Sequence, residues 1–236
     1  MMTMYLFGDS IGRGIVLNAE SGRYETVDFL KPLRKNHGIV LKNYSMFGCT
    51  MIKGLSLIER HSQKFRKDDV VVVEYGGNDC NFSWKEIAGA PEKEHNPKTS
   101  PEDFIHSYQL AVEGIRMAGA KPVVLTLPPL DAGRFLNWVA AGISKDNILK
   151  WLGGADMIYR WQEMYSLAVS KLAKMHDIPL IDIRSEFLCR KDISELLCID
   201  GMHPTRKGYD LIMKTASAQL TEWQRLSAQM KIPLPE

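Results

Sequence analysis

Short apolar runs separated by longer amphipathic segments recur along this chain of 236 residues. The third run contains four consecutive valines, a β-branched sequence typical of a strand that is buried on both faces of a parallel sheet. The pattern predicts five β-strands. They are expected at residues 2–7, 39–45, 70–75, 122–127 and 179–183.

Helical periodicity fills the intervals between these runs and predicts helices over residues 51–67, 100–118, 156–176 and 205–226. The second of these has the clearest start, because Ser100 can cap it and Pro101 suits a first helical turn. Strands that alternate with helices indicate βαβ units, and therefore an α/β fold whose parallel sheet is covered on both faces. Five strands fit one doubly wound domain, so we expect a single domain over residues 1–236 with a frayed tail at 229–236.

The composition is that of an ordinary globular protein, with 45% hydrophobic and 25% charged residues. A net charge of +2 is too small to favour a nucleic-acid partner. No stretch approaches the length of a membrane span, and the N-terminus lacks the features of a signal peptide. The four cysteines show no C-x-x-C spacing, which argues against a zinc site or a disulfide framework. We therefore expect a cytoplasmic protein.

Two connections are longer than the usual few residues. Residues 80–99 are polar and contain two prolines, and residues 128–155 carry Phe135, Trp138 and Trp151. Both follow the carboxyl ends of predicted strands, where α/β folds bind their ligands. We expect both to stand over a site, and the aromatic content of the second favours a pocket wall or lid, with Phe135 and Trp138 as candidate substrate contacts.

Gly8-Asp9-Ser10 follows the first predicted strand directly, which places a serine hydroxyl at that ligand-binding edge. A serine is a poor nucleophile unless a base takes its proton and a further group holds that base. Asp200 and His203, three residues apart in a loop before the last helix, are the candidate pair. His203 could act as general base and then as general acid, with Asp200 fixing its tautomer. The alternative is that both residues merely cap the helix near Thr205.

Attack on an acyl carbon creates a negatively charged oxygen, which needs hydrogen-bond donors. Gly76-Gly77-Asn78-Asp79 follows the third predicted strand, and Asn78 could donate its side-chain N–H. Gly48, after the second strand, could present a backbone N–H without a side chain in the way. Either segment could equally be ordinary turn sequence.

Taken together, these four blocks resemble the signature of the SGNH hydrolases, also called GDSL esterases and lipases. They stand in the family's order over residues 8–204. The resemblance implies Ser10 as nucleophile, His203 as base and Asp200 as orienting acid. It also implies an oxyanion hole formed by Ser10, Gly48 and Asn78. The implied fold is a flavodoxin-like three-layer α/β/α sandwich with strand order 2-1-3-4-5, without metal or cofactor.

Three details qualify the resemblance. Gly12 stands where many members have Ser or Thr, which is expected to loosen the turn after the nucleophile. Glu74 is an acid inside an apolar strand, which could be a buried, paired charge or could face the ligand. The sequence does not decide between the two, but the cost of unpaired buried carboxylates favours the paired, structural role. Residues 8–12 also match the G-x-S-x-G elbow of α/β-hydrolases. That fold places its elbow after several earlier strands, so we reject that reading.

The leading hypothesis is a serine esterase that acts on a small-molecule ester with a short acyl group, such as an O-acetylated sugar. A lysophospholipase or thioesterase acting on longer chains is the nearest alternative. A non-catalytic, flavodoxin-like ligand-binding module is a third possibility. The sequence predicts neither the physiological ester nor the oligomeric state.

Overall fold

A computed structural model describes residues 3–37 and 39–229 of the chain. In this part of the chain the strands are β1 (Thr3–Gly8), β2 (Ile15–Leu17), β3 (Tyr24–Thr26), β4 (Val40–Asn43), β5 (Val70–Glu74), β6 (Lys121–Leu125) and β7 (Leu180–Ile181). The helices are α1 (Ser10–Arg13), α2 (Lys31–His37), α3 (Met51–His61), α4 (Trp84–Gly89), α5 (Pro101–Met117), α6 (Ala132–Val139), α7 (Lys145–Leu152), α8 (Asp156–Met175), α9 (Ile183–Leu188) and α10 (Arg206–Gln229). A 3₁₀ turn over Ser62–Lys64 extends α3.

The five predicted strands form one parallel sheet in the order β4-β1-β5-β6-β7. Numbered by their sequence order within this sheet, they stand 2-1-3-4-5, which confirms the expected α/β architecture. The remaining strands, β2 and β3, form a separate antiparallel hairpin that the apolar pattern did not predict. The register places Gly8 of β1 beside Glu74 of β5 and Leu6 beside Asn43 of β4. The serine that follows β1 therefore lies between the ends of its two neighbouring strands.

Helices cover both faces of the sheet and create two cores. On one face α3, α5 and α8 pack against Phe7, Val71 and Val73. On the other face α9 and α10 pack against Leu6, Val72 and other strand residues. The four valines of β5 divide between the two cores, as expected of a central strand buried on both faces.

The local helix signals agree with the structure at the best-marked helix. Ser100 accepts a hydrogen bond from the Asp103 backbone N–H, and Pro101 is the first residue of α5. Gly119 follows the end of α5 with φ +85°, in the left-handed region. The structure describes α10 to Gln229, and residues 230–236 of the predicted frayed tail lie outside the described part of the chain.

The two long connections fold into short helices at the carboxyl edge of the sheet. Residues 80–99 contain α4, and residues 128–155 contain α6 and α7. With the first turns of α8 they enclose a third apolar cluster, which includes Phe82, Ile87 and Phe135. No helix in the described ranges is long and apolar enough to cross a bilayer.

Candidate active site

The nucleophile turn is held from both sides of Ser10. Asp9 is the N-cap of α1, and its Oδ1 accepts a hydrogen bond from the Ile11 backbone N–H at 2.9 Å. Oε2 of Glu74 accepts from the backbone N–H groups of Asp9 (3.2 Å) and Gly12 (3.1 Å). These bonds fix the backbone immediately before and two residues after the serine.

Gly12 does not loosen this turn, so that expectation was wrong. Its N–H is bonded to Glu74, and its carbonyl accepts a hydrogen bond from the Asn43 side chain at 2.8 Å. A Cβ at this position would lie 2.5 Å from Oγ of Ser45. Close packing against β4 and β5 therefore requires glycine here, and the turn is fixed by its neighbours.

Glu74 is 1% exposed, and its carboxyl is held by backbone N–H groups. The prediction from the sequence was a charged partner instead. Burial raises the pKa of this carboxyl well above its usual range, and the nearby Asp9 carboxyl adds to the rise. The structural role is thus as expected, and the raised pKa favours the neutral form of the carboxyl. A neutral carboxyl avoids the cost of an unpaired buried charge.

The loop before α10 brings Asp200 and His203 to Ser10. Oδ2 of Asp200 lies 2.7 Å from Nδ1 of His203, and Nε2 of His203 lies 2.9 Å from Oγ of Ser10. All three residues are buried. The hydroxyl, imidazole and carboxylate are therefore in hydrogen-bonded sequence, although 193 positions separate the serine from the histidine.

Asp200 is positioned by the loop itself. Its Oδ1 accepts hydrogen bonds from the backbone N–H groups of Met202 and His203, each at 3.1 Å. Burial raises the pKa of this carboxyl, but the hydrogen bonds and charge of His203, with the backbone N–H groups, outweigh it and leave the pKa below its usual value. Asp200 is therefore ionised at neutral pH and can stabilise an imidazolium.

The capping alternative does not fit the loop. The hydroxyl of Thr205 accepts the N–H of Gly208 at 3.2 Å and so serves the first turn of α10. Asp200 contacts no N–H of that helix and is turned towards His203 instead.

Gly201 shows why the loop takes this path. It has φ +70°, and its carbonyl accepts a hydrogen bond from the N–H of Asp131 just before α6. A Cβ at Gly201 would lie 2.6 Å from the Asp131 carbonyl oxygen. The segment 128–155 thus packs directly on the loop that carries Asp200 and His203.

The N–H groups predicted to form an oxyanion hole belong to Ser10, Gly48 and Asn78. Gly48 has φ +70°, which suits glycine. Among the hydrogen bonds of the described residues, none uses the backbone N–H of Ser10 or of Gly48. Nδ2 of Asn78 donates one hydrogen to Oδ2 of Asp9 at 2.9 Å, which leaves its second hydrogen for another acceptor.

The bond between Asp9 and Asn78 was not anticipated from the sequence. One carboxylate oxygen of Asp9 holds the serine turn through the Ile11 N–H. Its second carboxylate oxygen also orients the amide of Asn78. One aspartate therefore links the nucleophile turn to the candidate oxyanion donor, and only the contact across two strands reveals it.

A cavity of about 430 Å³ opens beside Ser10 and Asn78. Its walls come from both long connections and the start of α8, which confirms that these connections stand over the site. The apolar part of the lining includes Phe82, Leu130, Phe135, Trp151, Ile158 and Trp161. Of the two substrate-contact candidates, Phe135 lines this cavity and Trp138 does not.

The remaining reactive side chains show no second centre. The four cysteines are unpaired, and three of them, including Cys49 and Cys80, are buried. His95 lines the cavity, and Nε2 of its ring lies 2.9 Å from the Ala90 carbonyl oxygen. In the described ranges, no three His, Cys, Asp or Glu side chains are arranged to hold a metal ion.

Comparison with known families agrees with this geometry. The profile of the GDSL-like lipase/acylhydrolase family matches residues 6–211. The match spans all four sequence blocks, and the chain belongs to this family. A search among proteins of curated function gives no match.

Solved structures show the same fold at low sequence identity. The lipase/acylhydrolase from Enterococcus faecalis superposes with a TM-score of 0.65 at 19% identity, covering 93% of this chain and 95% of that one. Est24, a carbohydrate acetylesterase from Sinorhizobium meliloti, gives a TM-score of 0.65 at 15% identity, with coverages of 94% and 100%. The psychrotrophic esterase EstA from Pseudoalteromonas sp. gives 0.61 at 17% identity, with 94% and 98%.

Proposed function

We propose that the protein is a serine esterase that cleaves a carboxylic ester through an acyl-enzyme. The observation that carries this proposal is the hydrogen-bonded sequence Ser10–His203–Asp200, with distances of 2.9 and 2.7 Å. Membership of an acylhydrolase family supports it. An isolated serine hydroxyl would lack a base, whereas here Nε2 of His203 is within reach of its proton.

The reaction follows from this arrangement. Oγ of Ser10 attacks the acyl carbon while Nε2 of His203 takes the hydroxyl proton. The oxyanion accepts hydrogen bonds from the N–H groups of Ser10 and Gly48 and from the Asn78 amide. His203 then gives its proton to the leaving alcohol oxygen as the bond from the acyl carbon to that oxygen breaks. A water molecule, activated by the same imidazole, attacks the acyl-enzyme and releases the acid.

The test is hydrolysis of p-nitrophenyl butyrate by the wild type and three variants. We expect Ser10→Ala, His203→Ala and Asp200→Asn each to lower kcat by at least about 10⁴-fold. Mass spectrometry after treatment with a fluorophosphonate should show one adduct on Ser10 in the wild type and none in Ser10→Ala. Equal turnover by all four proteins would refute the proposal and leave the non-catalytic ligand-binding module.

The cavity favours an acyl group longer than acetyl. If each heavy atom of an acyl chain occupies about as much space as a water molecule, ~30 Å³, the cavity has room for about 14. An acetyl group has three heavy atoms and would leave most of these apolar walls without contact. This favours the longer-chain acylhydrolase or thioesterase alternative over the short-acyl esterase.

A series of p-nitrophenyl esters from acetate to laurate tests this choice. We expect kcat/KM to be highest for chains longer than butyrate. Met157→Trp, which places a large side chain on the cavity wall, should move the optimum towards acetate. Met164→Trp is the matched control, because Met164 is 39% exposed on the same helix and does not line the cavity. A wild-type optimum at acetate would support the short-acyl esterase instead.

A further inference from the structure

Three exposed aromatic side chains gather outside the enclosed cavity, beside His203. Tyr24 on β3, Phe47 in the loop after β4 and Trp138 on α6 are 40%, 53% and 37% exposed. We call these three residues the aromatic rim. None of them lines the cavity at Ser10. Single exposed aromatic residues are common, but a group of three, two of which contact one buried histidine, suggests a binding surface.

The rim is in ring contact with the imidazole. The ring centroid of Tyr24 lies 5.2 Å from that of His203. Phe47 lies 6.0 Å from His203, with the two ring planes only 14° apart. Tyr24 and Phe47 are themselves 5.2 Å apart, and Trp138 interacts with the Tyr24 hydroxyl. Tyr24 and Phe47 are thus exposed side chains in direct contact with the buried imidazole.

The chemistry of ester cleavage decides which half of the substrate comes close to His203 and the rim. The leaving oxygen must come within hydrogen-bonding distance of Nε2 of His203, because that atom supplies its proton. The acyl half is attached to the carbon that Ser10 attacks, and the apolar cavity opens directly beside Ser10. With the acyl half in the cavity, the alcohol half leaves past the imidazole and over the rim.

We propose that Tyr24, Phe47 and Trp138 bind the alcohol half of the ester, and that this alcohol carries a ring. This inference rests on the function proposed above. Aromatic side chains offer flat apolar faces that are best covered by another flat face, whether of an aromatic ring or of the C–H groups of a sugar ring. They also lose little conformational entropy on binding, because each side chain has only two rotatable bonds.

Two of the three rim residues lie on elements that are fixed to the rest of the fold. Tyr24 pairs with Leu17 in the β2–β3 hairpin, and the Ile15 carbonyl of that hairpin accepts a hydrogen bond from the Tyr209 hydroxyl. Trp138 belongs to α6, the helix that packs on the loop of His203 through the bond between Asp131 and Gly201. The rim is therefore attached to the same elements that position the imidazole.

Esters that share one acyl group and differ in the alcohol provide the test. The substrates are ethyl, cyclohexyl and phenyl butyrate and 6-O-butyryl glucose. Phe47→Ala and Tyr24→Leu are expected to lower kcat/KM about tenfold for at least one class of ring-bearing ester and by less than twofold for ethyl butyrate. Tyr24→Phe, which keeps the ring, should retain the wild-type preference. Met46→Ala is the matched control, since Met46 is 48% exposed next to Phe47 but outside the rim.

The stage of the reaction gives a second readout. All four substrates form the same butyryl-enzyme, from which the alcohol has already departed. Deacylation, measured in single-turnover experiments, should therefore be unchanged in Phe47→Ala and Tyr24→Leu. A slower deacylation would mean that the rim acts on His203 and not on the alcohol, and would overturn the proposal.

The other outcomes are equally distinct. Equal losses for ethyl and ring-bearing esters would overturn the proposal, as would a selective loss for ethyl cyclohexanecarboxylate, whose ring lies in the acyl half. A loss confined to the glucose ester would support it and identify a sugar alcohol, and a loss confined to phenyl butyrate would support it and identify an aromatic one. Failure of the underlying esterase function would look different, because no substrate would then be cleaved in a Ser10-dependent manner.

Discussion

Asp79 allows a quantitative prediction that joins burial to pH. This carboxyl lies in the loop that follows β5 and is fully buried. Its Oδ1 accepts a hydrogen bond at 2.8 Å from the backbone N–H of Met51, the first residue of α3. Burial raises its pKa to about 6, against a usual value of 3.8, although hydrogen bonds from Thr99 and Met51 oppose the rise. The folded protein therefore holds this proton more tightly than the unfolded chain does.

The sign and size of the effect follow from proton linkage. Between pH 4 and 6 the folded state binds more protons at Asp79 than the unfolded state, so the free energy of unfolding falls as the pH rises. A shift of about two pKa units corresponds to about 3 kcal/mol. This penalty is absent below the unfolded pKa and complete above pH 6. Asn at this position keeps an oxygen for the Met51 N–H and cannot ionise.

Equilibrium urea unfolding of the wild type and Asp79→Asn from pH 3.5 to 7 measures the difference. We expect the free energy of unfolding of the variant to rise by about 3 kcal/mol relative to the wild type over this range. The change should correspond to about 6–12 °C in Tm. Replacing the side chain also changes the free energy of unfolding by an amount that does not depend on pH. This constant cancels, because only the change of the difference with pH is compared.

Asp79→Ala is the control for the lost hydrogen bond. It should show the same pH-dependent difference from the wild type, with an added constant loss of about 1 kcal/mol because the N–H of Met51 loses its acceptor. The free energies of unfolding of the wild type and Asp79→Asn could also differ by a constant amount across the pH range, or by an amount that grows towards acid pH. Either result would show that folding does not raise the pKa of Asp79.

Substitutions at three further positions test the oxyanion donor Asn78, the buried acid Glu74 and the loop glycine Gly201. Asn78→Ala should lower kcat about 10²–10³-fold with little change in KM, since it removes a donor used mainly in the transition state; a change confined to KM would contradict this. Glu74→Gln should keep kcat within a few-fold and the free energy of unfolding at pH 7 within about 1 kcal/mol, because burial favours the neutral form of the native carboxyl, whereas Glu74→Ala should lower both; equal damage from the two would count against a neutral acid. Gly201→Ala should lower the free energy of unfolding in urea by about 1–3 kcal/mol more than Gly142→Ala does. Gly142 is the control, because it has a similar φ of +78° but a Cβ there would have no atom within 4 Å. Equal losses would mean that backbone strain alone matters.

The strongly periodic parts of the fold were predictable from local signals. Four consecutive valines in β5 and the capping residues of α5 depend only on near neighbours along the chain, so the sequence indicated both elements nearly to the residue. The hairpin was missed because β2 and β3 have only three residues each and β3 has no buried residue that would produce an apolar alternation. The short helices α4, α6 and α7 were missed because they are stabilised by the apolar cluster that they enclose with one another.

The candidate site divides in the same way. Ser10, Gly48, Asn78, Asp200 and His203 were singled out because each residue type lies in a block whose chemistry can be read locally. The roles of Glu74 and Gly12 were misjudged in part, since both depend on the spacing between β1, β4 and β5. Tyr24 and Phe47 gave no signal at all, because only folding brings them to His203.

The alternation of apolar and amphipathic segments was enough to predict the α/β class. Short motifs identified the residues that carry the proposed chemistry, and the family resemblance implied the strand order. These properties depend on local periodicity and on short motifs at strand ends. Other properties became visible only in the folded protein: Glu74 is a buried acceptor behind the nucleophile, Asp9 orients Asn78, and an apolar cavity and the aromatic rim lie beside the site. Burial, hydrogen bonds between distant segments and the shape of a cavity are sums over many chain segments, and no single segment encodes them.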